Sequence, residues 1–127
     1  MPIQDQKASA AVGRAGEHLA LAYLSLAGYS CTLCQIKDHD AYIQTDTRTL
    51  TLQVKTASKR QENSQSYKFY TPKRGVEASD IFAFVAIDLG VVIFRRGDEI
   101  SNNMTYITAK KFLSEKPSMQ KVLDSFK

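Results

Sequence analysis

Long apolar segments and cysteines are scarce in this chain. The longest uninterrupted apolar run is Ile81–Ile87, far shorter than the roughly 20 residues of a membrane-spanning helix, so we expect no membrane segment. The only cysteines are Cys31 and Cys34, which are too few for a disulfide framework. They also lack the second pair of ligands that a structural zinc site needs, and we interpret them as two buried thiols.

The amino-terminal sequence lacks the apolar core of a secretory signal, which predicts a cytoplasmic protein. The composition is that of an ordinary globular protein, because 43% of the residues are hydrophobic and 24% are charged. A chain of 127 residues can bury a core without metals or disulfides. We therefore predict a single domain over residues 1–127.

Positive charge is concentrated in one segment. The net charge is +4, yet the stretch from Lys55 to Gly75 holds six lysine and arginine side chains and one glutamate. Such a segment is typical of a surface that contacts a phosphate backbone, although a solvated basic loop would have the same composition. The candidate DNA-binding residues are Lys59, Arg60, Lys68, Lys73 and Arg74.

Aromatic residues alternate with these basic residues. Tyr67, Phe69 and Tyr70 surround Lys68, and their rings suit a DNA-contacting surface, a hydrophobic core or a subunit interface equally well. His39 lies next to an aspartate, and we interpret it as an ordinary turn residue, with a contact to metal or DNA as the alternative.

Residues Ser9–Leu26 have the periodicity of a helix. Ser9 is a suitable N-cap and Gly28 a suitable C-terminal stop. Glu17 lies on the opposite side from the main apolar stripe, in line with two leucines. The predicted stripe consists of Val12, Ala15, Leu19, Ala22, Tyr23 and Leu26.

Short strand patterns separated by turns occupy most of the remaining chain. The wholly apolar run Ile81–Ile87 is typical of a central strand that is covered on both faces. Thr108 caps a predicted helix through Leu113, and a last short helix ends near Phe126. This order predicts an α/β (α+β) fold with an N-terminal helix, a mixed β-sheet and C-terminal helices. The predicted strands are Tyr29–Ile36, Asp40–Thr45, Thr49–Thr56, Tyr67–Tyr70, Ile81–Ile87, Val91–Phe94 and, at an edge, Met104–Ile107.

Strands Asp40–Thr45 and Thr49–Thr56 form a predicted hairpin around the turn at residues 46–48. Side chains alternate between the two faces of a strand, so the leucines and the valine of the second strand share one face, and Gln53 and Lys55 share the other. If the hairpin pairs its apolar faces, Asp40 lies on the same surface as Gln53 and Lys55.

This surface offers oxygen ligands of the kind that a hard divalent cation such as Mg²⁺ prefers. Asp40 would be the anionic ligand, while the Gln53 side-chain oxygen and the Val54 main-chain carbonyl would be neutral ligands. Glu17, on the helix beside the sheet, would add a second carboxylate. Lys55 would orient or help to deprotonate an attacking water, or stabilise charge on a phosphate. A turn-forming aspartate and a solvated strand face would leave the same pattern.

Four segments taken together resemble the PD-(D/E)XK nuclease superfamily. They are, in order, GRAGEHLALAYLSLAGY, HDAYIQTD, LTLQVKTAS and SDIFAFVAID. Within the superfamily the chain is similar to the small homing endonucleases that are encoded in bacterial group I introns. The resemblance extends from about Gly13 to Phe94, and it depends on the ordered set of segments because no single segment is specific.

The resemblance implies a restriction-endonuclease-like core and a Mg²⁺-dependent endonuclease that cuts double-stranded DNA, with Mn²⁺ as a substitute ion. Asp40 matches the first aspartate of the motif, Lys55 its lysine, and Glu17 the helix glutamate of many members. His39 stands in place of the motif's proline. Most members have Asp or Glu where this chain has Gln53, and the intron-encoded group has Gln at this position as well. A homodimer or homotetramer is expected, because two strands must be cut.

Two alternatives remain open, because one fold can support several functions. The missing carboxylate at Gln53 would also fit a non-catalytic DNA-binding module on a degenerate nuclease fold. A Holliday-junction resolvase would keep the chemistry and change the substrate to a branched DNA.

Overall fold

The computed structural model describes residues 2–36, 39–58, 65–71, 79–100, 104–114 and 118–127. The helices are α1 (Pro2–Leu26), α2 (Ala109–Ser114) and α3 (Ser118–Asp124). The strands are β1 (Ser30–Ile36), β2 (His39–Gln44), β3 (Thr49–Ala57), β4 (Ser66–Tyr70), β5 (Ile81–Ala86), β6 (Val91–Arg96) and β7 (Met104–Thr108). This order confirms the predicted α+β fold, and each strand differs from its prediction by one or two residues at its ends.

Helix α1 begins earlier than predicted. It starts at Pro2, so the prediction that Ser9 is its N-cap was wrong. Its end is as predicted, since the last helical residue is Leu26 and Gly28 follows with a φ of +97°. A residue in this left-handed conformation after a helix is commonly glycine, which has no Cβ to clash with the backbone.

The buried face of α1 also differs from the predicted stripe. Gly16, Ala20 and Leu24 are buried at four-residue spacing, whereas Ala22 is exposed and Leu26 is 88% exposed. At Gly16 and Ala20 the packed face is therefore built from small residues, which bring the helix axis close to the sheet. Hydrophobic periodicity gives no weight to a glycine, which explains why the pattern pointed to the wrong side of the helix.

Five strands form a mixed sheet in the order β1-β2-β3-β5-β6. Strands β3 and β5 are parallel, and the other neighbours in this sheet are antiparallel. All six residues of β5 are buried, which confirms the prediction that the apolar run is a strand covered on both faces. Strand β3 lies between β2 and β5, and it therefore joins the predicted hairpin to the buried centre of the sheet.

Strand β7 was predicted as an edge of this sheet, and that prediction was wrong. It pairs with β4 in a separate two-stranded antiparallel sheet. Inward-facing aromatic residues explain the arrangement, because the Phe69 ring packs edge-on against Phe84 of β5 at a centroid distance of 5.0 Å. Tyr67 packs in the same way against Phe112 of α2 at 5.2 Å.

The two faces of the main sheet have separate cores. On one face, Ala20 and Leu24 of α1 and Leu123 of α3 pack against residues such as Leu52 of β3. On the other face, β4, β7 and α2 cover the phenylalanines of β5. Among the helices of the described residues, none combines the length and the apolar character needed to span a membrane.

Candidate active site

The register of β2 and β3 fixes the relative positions of the predicted site residues. Ala41 pairs with Leu52 and Ile43 with Leu50, and all four side chains are fully buried, so the hairpin does pair its apolar faces. Directly opposed residues in an antiparallel pair lie on the same face. Continuing the register by one residue places Asp40 opposite Gln53, and both side chains are half-buried.

Strands β2 and β3 end their regular pairing at this point. Beyond the Ala41–Leu52 pair, the Val54 N–H donates to the Asp40 Oδ2 atom at 2.7 Å. The Asp40 side chain thus takes the place of a main-chain carbonyl of β2. Within a strand, the N–H and C=O of one residue point towards the same neighbouring strand. The Val54 carbonyl is therefore directed towards Asp40, into the space between β2 and β3 beyond the Ala41–Leu52 pair, which we call the gap.

Helix α1 brings a second carboxyl group to this gap. Gly16 lies so close to β3 that a Cβ atom at this position would be 1.9 Å from Thr56 Oγ1. The next residue, Glu17, lies close enough to Asp40 for the charge of that carboxylate to act on it. Burial and the negative charge of Asp40 raise the pKa of Glu17, and the nearby His18 and Arg14 lower it to a lesser extent.

Glu17 and Lys55 approach the gap from opposite faces of the sheet. Helix α1 packs on the face of Leu52. Lys55 points to the other face, since it lies beside Phe84 in the parallel register and Phe84 belongs to the core beneath β4 and β7. The Lys55 side chain is half-buried, so it belongs to the boundary between that core and the solvent.

Only part of the predicted DNA-binding segment is described. Lys68 is exposed on β4, while Lys59, Arg60, Lys73 and Arg74 lie outside the described residues. The three aromatic residues of this segment divide into two groups. Tyr67 and Phe69 are core residues with 0% and 2% exposure, and Tyr70 is 62% exposed.

His39 and the two cysteines have the contacts and burial that are typical of residues with a structural role. The Nδ1 atom of His39 lies 2.8 Å from Ser79 Oγ, and the histidine begins strand β2 rather than occupying a turn. Cys31 and Cys34 are unpaired and half-buried. Burial raises the pKa of the Cys31 thiol to about 11. Across the described part of the chain, no three His, Cys, Asp or Glu side chains are placed together as metal ligands.

Two features of the site were not found in the sequence. One is the Gly16–Thr56 contact. The other is a link between β3 and the start of β5, in which Asp80 Oδ2 accepts hydrogen bonds from the Thr51 N–H at 3.0 Å and the Thr51 hydroxyl at 3.2 Å. Because Thr51 is two residues before Gln53 on the same strand face, this link holds β3 in register beside the gap. The alternation of Thr51, Gln53 and Lys55 places Thr51 on that face, but nothing in the sequence identifies Asp80 as its partner.

The donor atoms around the gap suit a hard cation. Glu17 and Asp40 are carboxylates, the strand geometry directs the Val54 carbonyl to the same side as its N–H, and extending the register places Gln53 opposite Asp40. All of these donors are oxygen atoms, as Mg²⁺ and Mn²⁺ prefer. Two neighbouring carboxyl groups repel one another when both are ionised, and a cation between them would remove that repulsion. The residues therefore fit a divalent metal ion.

Comparison with known proteins supports the fold. The chain is similar to the solved structure of a bacterial homing endonuclease, I-Ssp6803I, with a TM-score of 0.73 and 13% sequence identity. The similarity covers 91% of this chain and 90% of that chain. No protein-family model and no curated protein sequence matches the chain. At this level of identity, the likeness shows that the two chains share a fold.

Proposed function

We propose that the chain is a metal-dependent endonuclease that hydrolyses phosphodiester bonds in double-stranded DNA, as a member of the PD-(D/E)XK superfamily. One observation carries the proposal: at the point where β2 and β3 part, Asp40 binds the Val54 N–H, and Glu17 lies close enough for the charge of Asp40 to raise its pKa. The fold shared with a homing endonuclease gives independent support, and a homing role is the variant of the function that it favours.

Each residue of the gap has a separate role in this proposal. Glu17, Asp40, Gln53 and the Val54 carbonyl would hold Mg²⁺ or Mn²⁺. The ion, when bound, would supply positive charge for the scissile phosphate and lower the pKa of the attacking water. Lys55, which shares a strand face with Gln53, would place its ammonium group against the phosphate oxygens, where negative charge grows during the reaction.

The substrate determines the expected assembly. A duplex has two strands to cut, so we propose a homodimer or homotetramer that presents one site to each strand. Lys68, together with Lys59, Arg60, Lys73 and Arg74 of the same basic segment, would contact the phosphate backbone. Contacts of this type position a protein on DNA without reading its sequence.

Plasmid nicking with paired substitutions tests the proposal. Asp40→Asn keeps an oxygen that accepts from the Val54 N–H and removes the negative charge, whereas Asp40→Ala removes both. We expect both variants and Lys55→Ala to lose Mg²⁺-dependent nicking, and only Asp40→Ala to lose stability as well, by about 1–2 kcal/mol. Asp46→Ala in the β2–β3 turn and Lys121→Ala on α3 are the matched controls, since both wild-type side chains are exposed.

The second candidate is the non-catalytic DNA-binding module, which Gln53 favours because it leaves that position without a charge. Duplex binding with no cleavage in Mg²⁺ or Mn²⁺ would exclude the endonuclease and support the module. Faster cleavage of a four-way junction than of linear duplex would instead identify a resolvase.

A further inference from the structure

The two-stranded sheet of β4 and β7 has an inner and an outer face of different chemistry. Its inner face packs Tyr67, Phe69 and Ile107 into the core. Its outer face carries Tyr70 and Tyr106, which are 62% and 59% exposed. Isolated apolar residues at a surface are common, but two exposed tyrosines on so small a sheet form a concentrated aromatic surface.

Two lysines lie near these tyrosines in the fold. Lys68 pairs with Tyr106 across the two strands and is exposed. Lys111, in the first turn of α2, lines the same surface cavity as Tyr106, and its N–H binds the Thr108 hydroxyl at 3.0 Å. We use the name cationic–aromatic face for Lys68, Tyr70 and Tyr106 of the outer face, together with Lys111 at the cavity beside Tyr106.

The charge of the three elements that build this face has one sign. Strands β4 and β7 and helix α2 contain three lysines, the third being the exposed Lys110, and no aspartate or glutamate. One carboxylate from elsewhere, Glu99, lines the cavity beside Lys111. The side of the face formed by Lys68 and Tyr70 has no acidic residue on its own strand or on the strand paired with it.

This charge argues for a polyanion and against a second copy of the chain as the partner. The centres of protein–protein interfaces are poor in lysine. A twofold contact uses the same patch on both copies, so it would bring the lysines of one copy close to those of the other. A nucleic acid strand has the complementary charge, and its bases offer flat surfaces to the tyrosine rings.

We infer that the cationic–aromatic face binds unpaired nucleotides, with bases stacked on Tyr70 and Tyr106 and phosphates held by Lys68 and Lys111. Tyr106 is opposite Lys68, and Tyr70 is two residues further along β4, which sets the Cα atoms of the two tyrosines roughly 7–8 Å apart across the strands. That separation suits neighbouring nucleotides of an extended strand. Aromatic residues combined with basic residues are the usual means of binding single strands without sequence preference. In an intact duplex the base faces are covered by their neighbours, so the rings select unpaired bases.

Fluorescence anisotropy with a labelled oligothymidine strand, compared with a duplex of equal length, tests this inference. We expect Tyr70→Ala and Tyr106→Ala each to weaken binding of the single strand roughly 5- to 100-fold. Tyr70→Phe and Tyr106→Phe keep the ring and should bind within about twofold of the parent, because stacking does not need the hydroxyl group. Lys68→Ala should lower the slope of log affinity against log salt by about 0.7, and Lys121→Ala on α3 should leave it unchanged.

The inference is overturned if the alanine variants bind the single strand as the parent does, or if the phenylalanine variants are weakened as strongly as the alanine variants. It is also overturned if the alanine substitutions change the molecular mass of the assembly and leave binding unaltered, since the face would then be a subunit interface. The single-strand binding test does not depend on the proposed endonuclease activity, because Asp40→Ala should abolish nicking and leave single-strand binding intact. Thermal unfolding of each surface variant, expected within about 0.5 kcal/mol of the parent, confirms that the fold is retained.

Discussion

The close contact between α1 and β3 gives a sharp prediction for two glycines of one helix. A Cβ atom at Gly16 would lie 1.9 Å from Thr56 Oγ1, and 2.9 Å from both Thr56 Cβ and Cγ2. Ordinary contacts begin near 3.4 Å, so Gly16→Ala requires a displacement of about 1.5 Å. Rotation of the threonine cannot supply it, because its Cβ atom is itself too close.

The expected cost follows from two opposing effects. Overpacking of this kind costs about 1–3 kcal/mol, while alanine is favoured over glycine in a helix by about 1 kcal/mol. Gly13→Ala isolates the second effect, because a Cβ at Gly13 meets nothing within 4 Å. We therefore expect Gly13→Ala to be more stable than Gly16→Ala by about 1–3 kcal/mol, or roughly 4–12 °C in Tm for a chain of this size.

The same displacement should affect the proposed site. A shift of Gly16 by even about 1 Å would move the neighbouring Glu17 away from Asp40, and an error of that size in a catalytic arrangement reduces activity by as much as ~100-fold. Thermal unfolding and plasmid nicking of Gly16→Ala, Gly13→Ala and Gly16→Ala combined with Thr56→Ala measure both effects. The double variant should recover part of the loss, since only the Cβ atom of residue 56 remains. A Tm for Gly16→Ala equal to or above that of Gly13→Ala would refute the reasoning.

Three further predictions concern single side chains. Asp80→Ala removes both hydrogen bonds to Thr51 and should cost about 1.5–3 kcal/mol in urea unfolding; a loss below 0.5 kcal/mol, roughly the effect of an ordinary surface substitution, would contradict this role. The Cys31 thiol, whose pKa burial raises to about 11, should react with iodoacetamide at pH 8 about a hundredfold more slowly in the folded than in the unfolded protein, and equal rates would show that burial does not protect it. Because the pKa of Glu17 is raised by burial and by Asp40, its ionisation costs stability as the pH rises through that pKa. Without divalent cations, Glu17→Gln should therefore be more stable than the parent at pH 8, and the difference should vanish below the ordinary glutamate pKa; a difference that does not change with pH would exclude the linkage.

The strands could be predicted closely because their signals are local. The period-two pattern of β2 and β3 determines which side chains share a face, and the register that buries Ile43 and Leu50 then places Asp40 beside Gln53. The apolar run of β5 likewise needs no partner to be recognised. These are the features in which a shift of one residue would bury polar side chains, so the sequence specifies them strongly.

The errors concern contacts between residues distant in sequence. Helix α1 packs through Gly16 and Ala20, whose importance lies in small size rather than hydrophobicity. Strand β7 has an ordinary edge-strand pattern. Its sheet is decided only by the aromatic residues of its partner strand β4, such as Phe69, which packs against Phe84. The partnership of Thr51 with Asp80 spans 29 positions, and no local pattern marks it.

The candidate site lies where regular strand pairing ends, and this coincidence has a physical reason. A main chain that continued its ladder would use the Val54 N–H and C=O for pairing and would leave no donor for a cation. Asp40 ends the ladder by accepting from the Val54 N–H through its side chain, which satisfies that group and leaves the second carboxylate oxygen and the Val54 carbonyl at the edge of the gap. Glu17 then adds its charge from the helix, at a position that stability alone would disfavour. Two carboxyl groups kept near one another at the end of a strand are better explained by a ligand that they bind than by the stability of the fold.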